Sequence, residues 1–244
     1  MGSIQKSGNR SWEVWEKNSA YLELMIARAK ELEPEMECAK QMYDILASKS
    51  IVPARVLDVC CSCGHYYHTL KRLDPGVEYI GVDISPGYVR NGQAIFSGNH
   101  RVKIVIGDIF NLKFADASFD LVICYNTIQN LPDFKLPLKE VVRVASKYTL
   151  IRMLCSEERR LLRETITDEG REETKAHYEY HNTWSFQDVQ KWLCSLGHFR
   201  VEFIPDRVSQ LPQSNGTQIV NGRQFLKGIL YEWWNVFITK QERP

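Results

Sequence analysis

Short apolar runs that alternate with helical stretches are the feature of this sequence that most constrains its fold. These runs are rich in Val and Ile, and they occupy residues 55–60, 77–83, 102–108, 119–124 and 148–155. An apolar run without polar alternation is typical of a strand buried on both faces, and strands that alternate with helices favour a parallel sheet covered on both sides. With two further strand candidates nearer the C-terminus, the sequence therefore predicts an α/β fold with a doubly wound, mostly parallel, seven-stranded sheet.

The first fifty residues predict a helical cap in front of this sheet. Leu22, Met25, Ile26 and Ala29 have the i, i+3, i+4, i+7 spacing of one helical face. Pro34 disfavours helical backbone at the residue before it, so we expect a break between two helices there.

The part after residue 155 differs in composition and in its pattern of polar and apolar residues. Residues 157–175 are highly charged, which predicts a solvated helix and loop. Ser185 precedes an amphipathic stretch, which predicts an N-capped helix that ends at Gly197. Two further strand candidates follow, at residues 200–205 and 229–238.

Composition narrows the class of partner. Lys plus Arg total 31 and Asp plus Glu total 30, a formal net charge of +1, so the whole chain offers no electrostatic reason to expect nucleic acid or an anionic membrane. No apolar run is long enough for a transmembrane helix, and the polar start lacks the apolar core of a secretory signal, which predicts a cytoplasmic protein. An odd number of cysteines, seven, does not form a disulfide framework. The sequence leaves the oligomeric state open.

Small and acidic residues follow the apolar runs, where each strand would end. After the first run comes a turn from Cys60 to Gly64, and a helix begins at His65. In an open α/β sheet a ligand lies outside the carboxyl ends of the strands, where a tight turn and a helix N-terminus approach it. Asp83, after the second run, is placed to accept from ribose hydroxyls, and Asp108, after the third, from an adenine amine. These exits predict a site for a nucleoside-type ligand.

The same residues occur in the order of a known family's motifs. The segments LDVCCSCG, GVDIS, GD and FDLVICYN resemble the class I S-adenosylmethionine-dependent methyltransferases, and the match covers roughly residues 50–155. The resemblance implies a Rossmann-like sheet, S-adenosylmethionine as cofactor and methyltransferase activity. The residues predicted to bind the cofactor are Asp58, Cys60, Cys61, Ser62, Gly64, His65, Asp83, Ile84, Asp108, Ile109, Tyr125 and Asn126.

The resemblance also implies a role for each part of this set. Asp58 and the turn after it would hold the methionine part, and Asp83 the ribose. Ile84 would cover the adenine, whose amine and edge Asp108 and Ile109 would read. Tyr125 and Asn126 would face the methyl donor. We therefore expect one domain in three parts: a helical cap at 1–50, a cofactor-binding core at 51–155, and acceptor-side helices with antiparallel strands at 156–244.

The turn after the first strand departs from the family's pattern. Cys60 and Ser62 stand where the family has glycine, and a β-carbon restricts positive φ angles there. A dinucleotide pyrophosphate must press on this backbone, so the substitutions disfavour NAD more than a cofactor without phosphate. Cys60 and Cys63 also form the Cys-x-x-Cys spacing of a thioredoxin-type redox site. That alternative does not explain the acidic residues after the next two strands.

A separate set of residues predicts the acceptor side. His181, in an aromatic segment after the fifth run, is the candidate general base; a histidine that only orders its loop is the alternative. Arg152 suits an anionic substrate group, although a structural ion pair fits the sequence equally well. Beside the fourth run no pair of Asp residues suggests a magnesium site, so we expect metal-independent chemistry and no metal ligand. The residues predicted to contact the acceptor are Gln129, Arg152, Tyr180 and Asn182.

These features predict methyl transfer to an O or N atom of a small polar metabolite. Amides and hydroxyls at residues 213–218 suit a sugar, and a secondary-metabolite intermediate is the other acceptor class we expect. The fourth run is not followed by the Asn-Pro-Pro-Tyr-type motif of enzymes that methylate nucleic-acid bases. Two other classes stay open at this point: a catalytically inactive S-adenosylmethionine-binding protein and an NAD-type oxidoreductase.

Overall fold

The chain alternates helices and strands through most of its length. The computed structural model describes residues 15, 18–166, 177–207, 217–220, 223–226 and 229–241. The helices are α1 (Ser19–Ala29), α2 (Glu37–Ser48), α3 (Tyr67–Leu73), α4 (Pro86–Ile95), α5 (Lys135–Val144) and α6 (Phe186–Leu196), with a 3-10 turn at Ile128–Asn130. The strands are β1 (Arg55–Val59), β2 (Glu78–Asp83), β3 (Val102–Ile106), β4 (Phe119–Tyr125), β5 (Ala145–Ser156), β6 (Arg163–Ile166), β7 (His177–Tyr180), β8 (Trp184–Ser185), β9 (Phe199–Pro205), β10 (Thr217–Val220), β11 (Arg223–Leu226), β12 (Ile229–Tyr231) and β13 (Trp233–Lys240).

The central sheet has the strand order β3-β2-β1-β4-β5-β13-β9, and the short β8 pairs beside β5. The pairings from β3 through β5 are parallel, whereas β13 is antiparallel to both β5 and β9. The predicted mostly parallel α/β sheet is therefore confirmed. The chain order reverses beside β1, and such a reversal leaves a crevice at the carboxyl ends of the neighbouring strands.

The core lies on both faces of this sheet. Along β4, Leu121 and Ile123 join an apolar cluster with α1 to α4, whereas Val122 and Cys124 join a second cluster with α5 and α6. All four side chains are fully buried. Burial on both faces explains why the strand sequences lack polar alternation, since successive side chains of a strand point to opposite faces.

The helical cap forms as two helices. α1 and α2 are separated by residues 30–36, so the predicted break near Pro34 is confirmed. Asn18 caps α1 by accepting a hydrogen bond from the Tyr21 N–H at 3.0 Å. Met25 and Ala29 on α1 are buried, and the helix packs against α4 at the carboxyl edge of the sheet. The cap therefore covers the crevice.

The second half differs from the sequence prediction in three places. A solvated helix and loop were expected at residues 157–175, but residues 163–166 form β6, which pairs antiparallel with β7. The single strand expected at residues 229–238 is two strands, β12 and β13. Helix α6 is confirmed, with the Ser185 hydroxyl accepting from the Asp188 N–H at 3.0 Å. Residues 213–216 of the predicted polar loop lie outside the described residues, whereas residues 217 and 218 begin β10, which pairs antiparallel with β11.

None of the described helices is both long and apolar enough to span a lipid bilayer.

Candidate functional site

One cavity opens where β1, β2, β3 and β4 end, and α1 forms its opposite wall. Its space, including the open mouth, is about 1070 Å³. A cleft that combines apolar walls with a few convergent polar groups is typical of a small-molecule site. The predicted cofactor-binding residues on its wall are Cys60, Ser62, His65, Asp83, Ile84, Asp108, Ile109, Tyr125 and Asn126.

The turn after β1 is held against the end of β2. Cys60 and Ser62 adopt positive φ angles of 62° and 54°, and Gly64 has φ 86°. The Ser62 N–H donates to Asp83 Oδ2 at 2.8 Å, and the Ser85 N–H donates to Asp83 Oδ1 at 2.9 Å. The turn thus keeps the glycine-like backbone of the family pattern although two of its residues carry β-carbons. Asp83 fixes both neighbouring backbone segments.

A second carboxylate stands at the exit of β3. Asp108 Oδ1 accepts from the Phe110 N–H at 2.9 Å, which turns the chain around the carboxylate. Ile109 and Phe110 also line the cavity. An acceptor group beside two apolar side chains suits a flat ring that carries an amine at its edge.

Several buried polar atoms face this cavity without a partner. The Ser62 and Ser85 hydroxyls and both ring nitrogens of His65 have no hydrogen-bond partner among the described residues. An unpaired buried polar group costs about 1–3 kcal/mol, so these groups favour a ligand with hydrogen-bonding atoms. Burial lowers the pKa of His65 to about 3. The imidazole is therefore neutral at physiological pH.

Aromatic side chains form the wall opposite the acidic exits. The rings of Tyr66 and Tyr125 lie 5.1 Å apart, and those of Trp15 and Tyr21 lie 5.2 Å apart. The Tyr88 hydroxyl donates to the Trp15 carbonyl oxygen at 3.0 Å, which ties α4 to the segment before α1. All five residues line the cavity. Such a wall binds apolar rings and stabilises positive charge through the faces of the aromatic systems.

A buried ion pair supports this wall from behind. Arg152 Nε lies 2.6 Å from Asp206 Oδ2, and Arg152 Nη2 lies 3.1 Å from Asp206 Oδ1. The remaining terminal nitrogen of Arg152 donates to Asn126 Oδ1. Asn126 Nδ2 in turn donates to Tyr66 Oη at 3.3 Å. Arg152 is a structural ion-pair partner, so the prediction that it binds a substrate anion is corrected: its nitrogens are already engaged.

Three predicted cofactor residues lie behind the cavity wall. Asp58 is 1 % exposed and accepts a 2.5 Å hydrogen bond from Tyr79, and burial raises the pKa of its carboxyl to about 8. Cys61 packs beside Gly81, where an added β-carbon would come within 2.6 Å of the Cys61 sulfur. Gly64 supplies the last positive φ angle of the turn. In the structure these residues support the turn after β1 and do not line the cavity.

The residues predicted for the acceptor side do not meet at the cavity. Gln129 is buried and donates to the Asn126 carbonyl oxygen at 2.5 Å. Asn182 donates to the Leu131 carbonyl oxygen and accepts from the Leu162 N–H. These amides therefore order backbone segments.

Tyr180 is the last residue of β7 in the β6–β7 hairpin, and His181 follows it directly. His181 Nδ1 lies 3.2 Å from the Tyr231 hydroxyl, and its Nε2 lies 3.6 Å from Glu179 Oε1. Tyr180 pairs with Arg163 across the hairpin. Neither residue lines the cavity, so the structure places the predicted base, His181, away from the expected reaction site.

The cysteine geometry disfavours the redox alternative. A hydrogen bond to Cys124 and burial raise the pKa of Cys60, and burial raises the pKa of Cys63 to about 12. Reactive redox thiols have a lowered pKa, because the thiolate is the nucleophile. The cysteines of this turn therefore pack as thiols, and each is free of a disulfide.

Sequence patterns missed several residues of the wall. The main one is Arg28, because its position on α1 follows no sequence motif. It lines the cavity, and in the described part of the chain no carboxylate forms an ion pair with it. Tyr66 and Met36 also line the cavity. Only the adjacency of Tyr66 to the turn after β1 could have suggested it.

The comparisons with known proteins agree with this geometry. Residues 53–217 match the family described as a methyltransferase domain. A demethylmenaquinone methyltransferase of Staphylococcus aureus (strain JH9) is 37% identical over 91 residues, which is 37% of this chain and 38% of that protein. The chain thus spans less than half the length of the curated relatives that it matches.

Solved structures share the fold at low sequence identity. Magnesium protoporphyrin IX methyltransferase from Synechocystis PCC 6803, with bound SAH, has a TM-score of 0.59 at 12% identity, covering 94% of this chain and 97% of that one. A putative sarcosine dimethylglycine methyltransferase from Galdieria sulphuraria has a TM-score of 0.56 at 14% identity, covering 84% and 85%.

Proposed function

Because this chain belongs to the class I S-adenosylmethionine-dependent methyltransferases, we propose that it transfers a methyl group to an O or N atom of a small, largely planar acceptor. A single observation carries the proposal: one cavity joins the acidic strand exits to a wall of aromatic side chains. The aromatic wall favours a ring-bearing acceptor over the sugar suggested by residues 213–218. The name of the Staphylococcus relative, a demethylmenaquinone methyltransferase, points to a quinone as that protein's acceptor, and a quinone belongs to this ring-bearing class.

The cofactor is S-adenosylmethionine, and the residues present fit it. Its ribose hydroxyls match Asp83, a carboxylate that lines the cavity at the end of β2 and is held in place by two backbone N–H groups. The unpartnered hydroxyls of Ser62 and Ser85 and the ring of His65 offer further hydrogen bonds to a polar ligand. When bound, the cofactor supplies an electrophilic methyl group on a sulfonium.

The adenine end would lie at the exit of β3. Asp108 has one oxygen bonded to the Phe110 N–H, and its other oxygen is suited to accept from the exocyclic amine. Ile84 and Ile109 would cover the ring. An NAD-type ligand fits less well, because the β-carbons of Cys60 and Ser62 stand on the turn that would have to approach a pyrophosphate.

The amino-acid end would reach Arg28. This guanidinium lines the same cavity as Asp83, Ser62 and His65. A carboxylate is the group that an arginine binds best, through two parallel hydrogen bonds. We therefore assign Arg28 to the cofactor carboxylate and the neutral His65 to hydrogen bonding beside it.

Tyr66 and Tyr125 would orient the acceptor and exclude water. Their rings lie next to each other on the wall, and Asn126 holds the Tyr66 hydroxyl in place. Holding two reactants in line lowers a barrier by up to about 7–11 kcal/mol in the best intramolecular models. No histidine with an ordinary pKa lines the cavity within the described residues, so the acceptor atom is best an amine lone pair or an oxygen that ionises readily.

Two measurements test this function. Calorimetry should detect S-adenosylhomocysteine binding that Arg28→Met weakens by roughly tenfold or more, since a charge-assisted hydrogen bond contributes about 1.5–3 kcal/mol. Arg90→Met, on the exposed side of α4, is the matched control. A cofactor with a labelled methyl group should then label phenols, hydroquinones or aromatic amines in a panel. Absence of cofactor binding would overturn the assignment, whereas binding without transfer to any acceptor would favour an inactive binding protein.

A further inference from the structure

Away from the cavity, the β6–β7 hairpin brings three metal-ligating side chains together. One ligand atom from each of Glu164, Glu179 and His181 lies within 4.8 Å of the other two. Glu164 and Glu179 are direct cross-strand partners, and His181 follows Glu179 by two positions, so all three side chains are on one face. We propose that these residues bind a divalent transition-metal ion of the zinc type.

The charges of the hairpin support a cation at this point. Two carboxylates directly opposite each other on paired strands repel and destabilise the pairing. A divalent ion between Glu164 and Glu179 would convert this repulsion into two attractive contacts. His181 Nε2 lies 3.6 Å from Glu179 Oε1, close to the spacing of two ligands around one ion.

The imidazole is oriented as a metal ligand is. Its Nδ1 lies 3.2 Å from the Tyr231 hydroxyl, which leaves Nε2 directed toward Glu179. Histidines that bind metals are commonly held through the other ring nitrogen in this way, and that contact fixes the tautomer and the ring orientation. Tyr231 comes from β12, so a strand outside the hairpin positions the ligand.

The donor set decides the class of ion. One imidazole with two carboxylates suits Zn²⁺ and related transition metals, which bind nitrogen and oxygen at about 2.0–2.2 Å. Magnesium and calcium prefer sites made of oxygen alone. With three protein ligands, a tetrahedral ion would keep one position for water.

This site would stabilise a part of the chain that supports the cavity. Next to His181, the Asn182 N–H donates to the Gln129 carbonyl oxygen at 2.8 Å, and Asn182 Nδ2 donates to the Leu131 carbonyl oxygen at 2.8 Å. Leu131 lines the cavity. The ion would therefore fix the hairpin beside the cavity wall without entering the methyl transfer, and the proposal does not depend on the proposed function.

Metal titration of the full chain tests the site. After treatment with a chelator, the protein is titrated with ZnCl₂ by calorimetry and with CoCl₂ by visible spectroscopy. We expect saturation at a single site, and Glu164→Gln and His181→Gln should each raise Kd by roughly tenfold or more. His68→Gln is the matched control and should leave Kd unchanged. His68 also lies beside a carboxylate, 3.3 Å from Glu31, but the Lys71 ammonium is 3.2 Å from the same imidazole nitrogen and would repel a metal ion.

The outcomes are separable from misfolding and from binding by thiols. Without metal, Glu164→Gln should melt at the same temperature as the unmodified chain or higher, because it removes one of two facing charges. A lower metal-free Tm would contradict the charge argument. Absence of zinc binding, an unchanged Kd in His181→Gln, or a sulfur-to-cobalt charge-transfer band that Cys194→Ser abolishes would each overturn the proposal.

Discussion

The strand exits of β1 to β4 and the hairpin after β5 carry polar residues of similar types, yet they use them differently. At the strand exits, Asp83 and Asp108 line a shared cavity. In and after the hairpin, Asn182 bonds to backbone groups and His181 bonds to Tyr231. Parallel neighbouring strands end at one edge, so their exit residues converge by topology alone. The contacts of the hairpin residues depend instead on which strand the hairpin packs against.

The buried ion pair behind the acceptor wall should show the largest effect. Asp206→Asn leaves the Arg152 guanidinium buried and without its charge partner, which should lower the free energy of unfolding by about 3–5 kcal/mol. Urea denaturation measures the change. Asp44→Asn is the matched control, because Arg207 and Asp44 also lie 2.6 Å apart but are 41% and 49% exposed, and exposed pairs contribute about 0–1 kcal/mol. Equal losses in both variants would show that burial does not distinguish the two pairs.

The strand exits and the hairpin should also differ in their contribution to cofactor binding. Asp83→Asn should weaken S-adenosylhomocysteine binding by roughly 10–100-fold, since hydrogen bonds to a charged group contribute about 1.5–3 kcal/mol. His181→Ala should leave the affinity unchanged, because His181 does not line the cavity. Calorimetry gives both dissociation constants. A comparable loss in His181→Ala would place the hairpin in the cofactor site and contradict the geometry.

A pH titration tests the residue behind the first strand exit. Because the pKa of Asp58 is raised to about 8 in the folded chain, the folded state holds a proton between about pH 4 and pH 8 that the unfolded state has released. The free energy of unfolding should therefore fall as pH rises through this window, by up to about 1.4 kcal/mol per pH unit.

Asp58→Asn serves as the reference for that titration, because its amide resembles the protonated carboxyl and does not titrate. The stability of the unmodified chain minus that of Asp58→Asn should fall as pH rises from about 4 to about 8 and level off above it. A difference that stays constant across this range would show that Asp58 has an ordinary pKa.

The smallest expected effect concerns the turn after β1. Ser62 has a φ of 54°, and a left-handed conformation costs an L-residue roughly 1–2 kcal/mol. Ser62→Ala and Ser62→Gly both remove the buried hydroxyl and differ only in the β-carbon. The free energy of unfolding should therefore be higher in Ser62→Gly than in Ser62→Ala, by up to about 1 kcal/mol after the entropy cost of glycine. Thermal melting of both variants measures the difference, and equal stabilities would show that the β-carbon causes no strain at this position.

Local patterns predicted the parts of the molecule in which neighbours in sequence decide the outcome. The strands from β1 to β5 followed from apolar runs, because burial on both faces removes polar alternation. Helix α6 followed from its Ser185 cap. The prediction for residues 157–175 was wrong, because a charged segment is typical of a solvated helix. The partner of β6 is β7, whose sequence lies beyond the charged segment.

Within the candidate site the same limit applies. Cys60, Ser62, Asp83 and Asp108 were predicted and lie on the cavity wall. Arg28 was missed because nothing in the sequence of α1 shows which way the helix faces. For Arg152, the sequence allowed either a substrate anion or an ion pair, and only the approach of Asp206 from the end of β9 decided between them.

The sequence by itself determined the sheet, the acidic strand exits and the family, because each rests on the order of short segments along the chain. The tertiary structure alone decided which polar groups remain free for a ligand. Asp206, Tyr231 and Leu131 are distant in sequence from the groups they engage, and a hydrogen bond made across that distance removes a side chain from the site. Availability is set by all the neighbours of a group, and those neighbours are known only once the chain is folded.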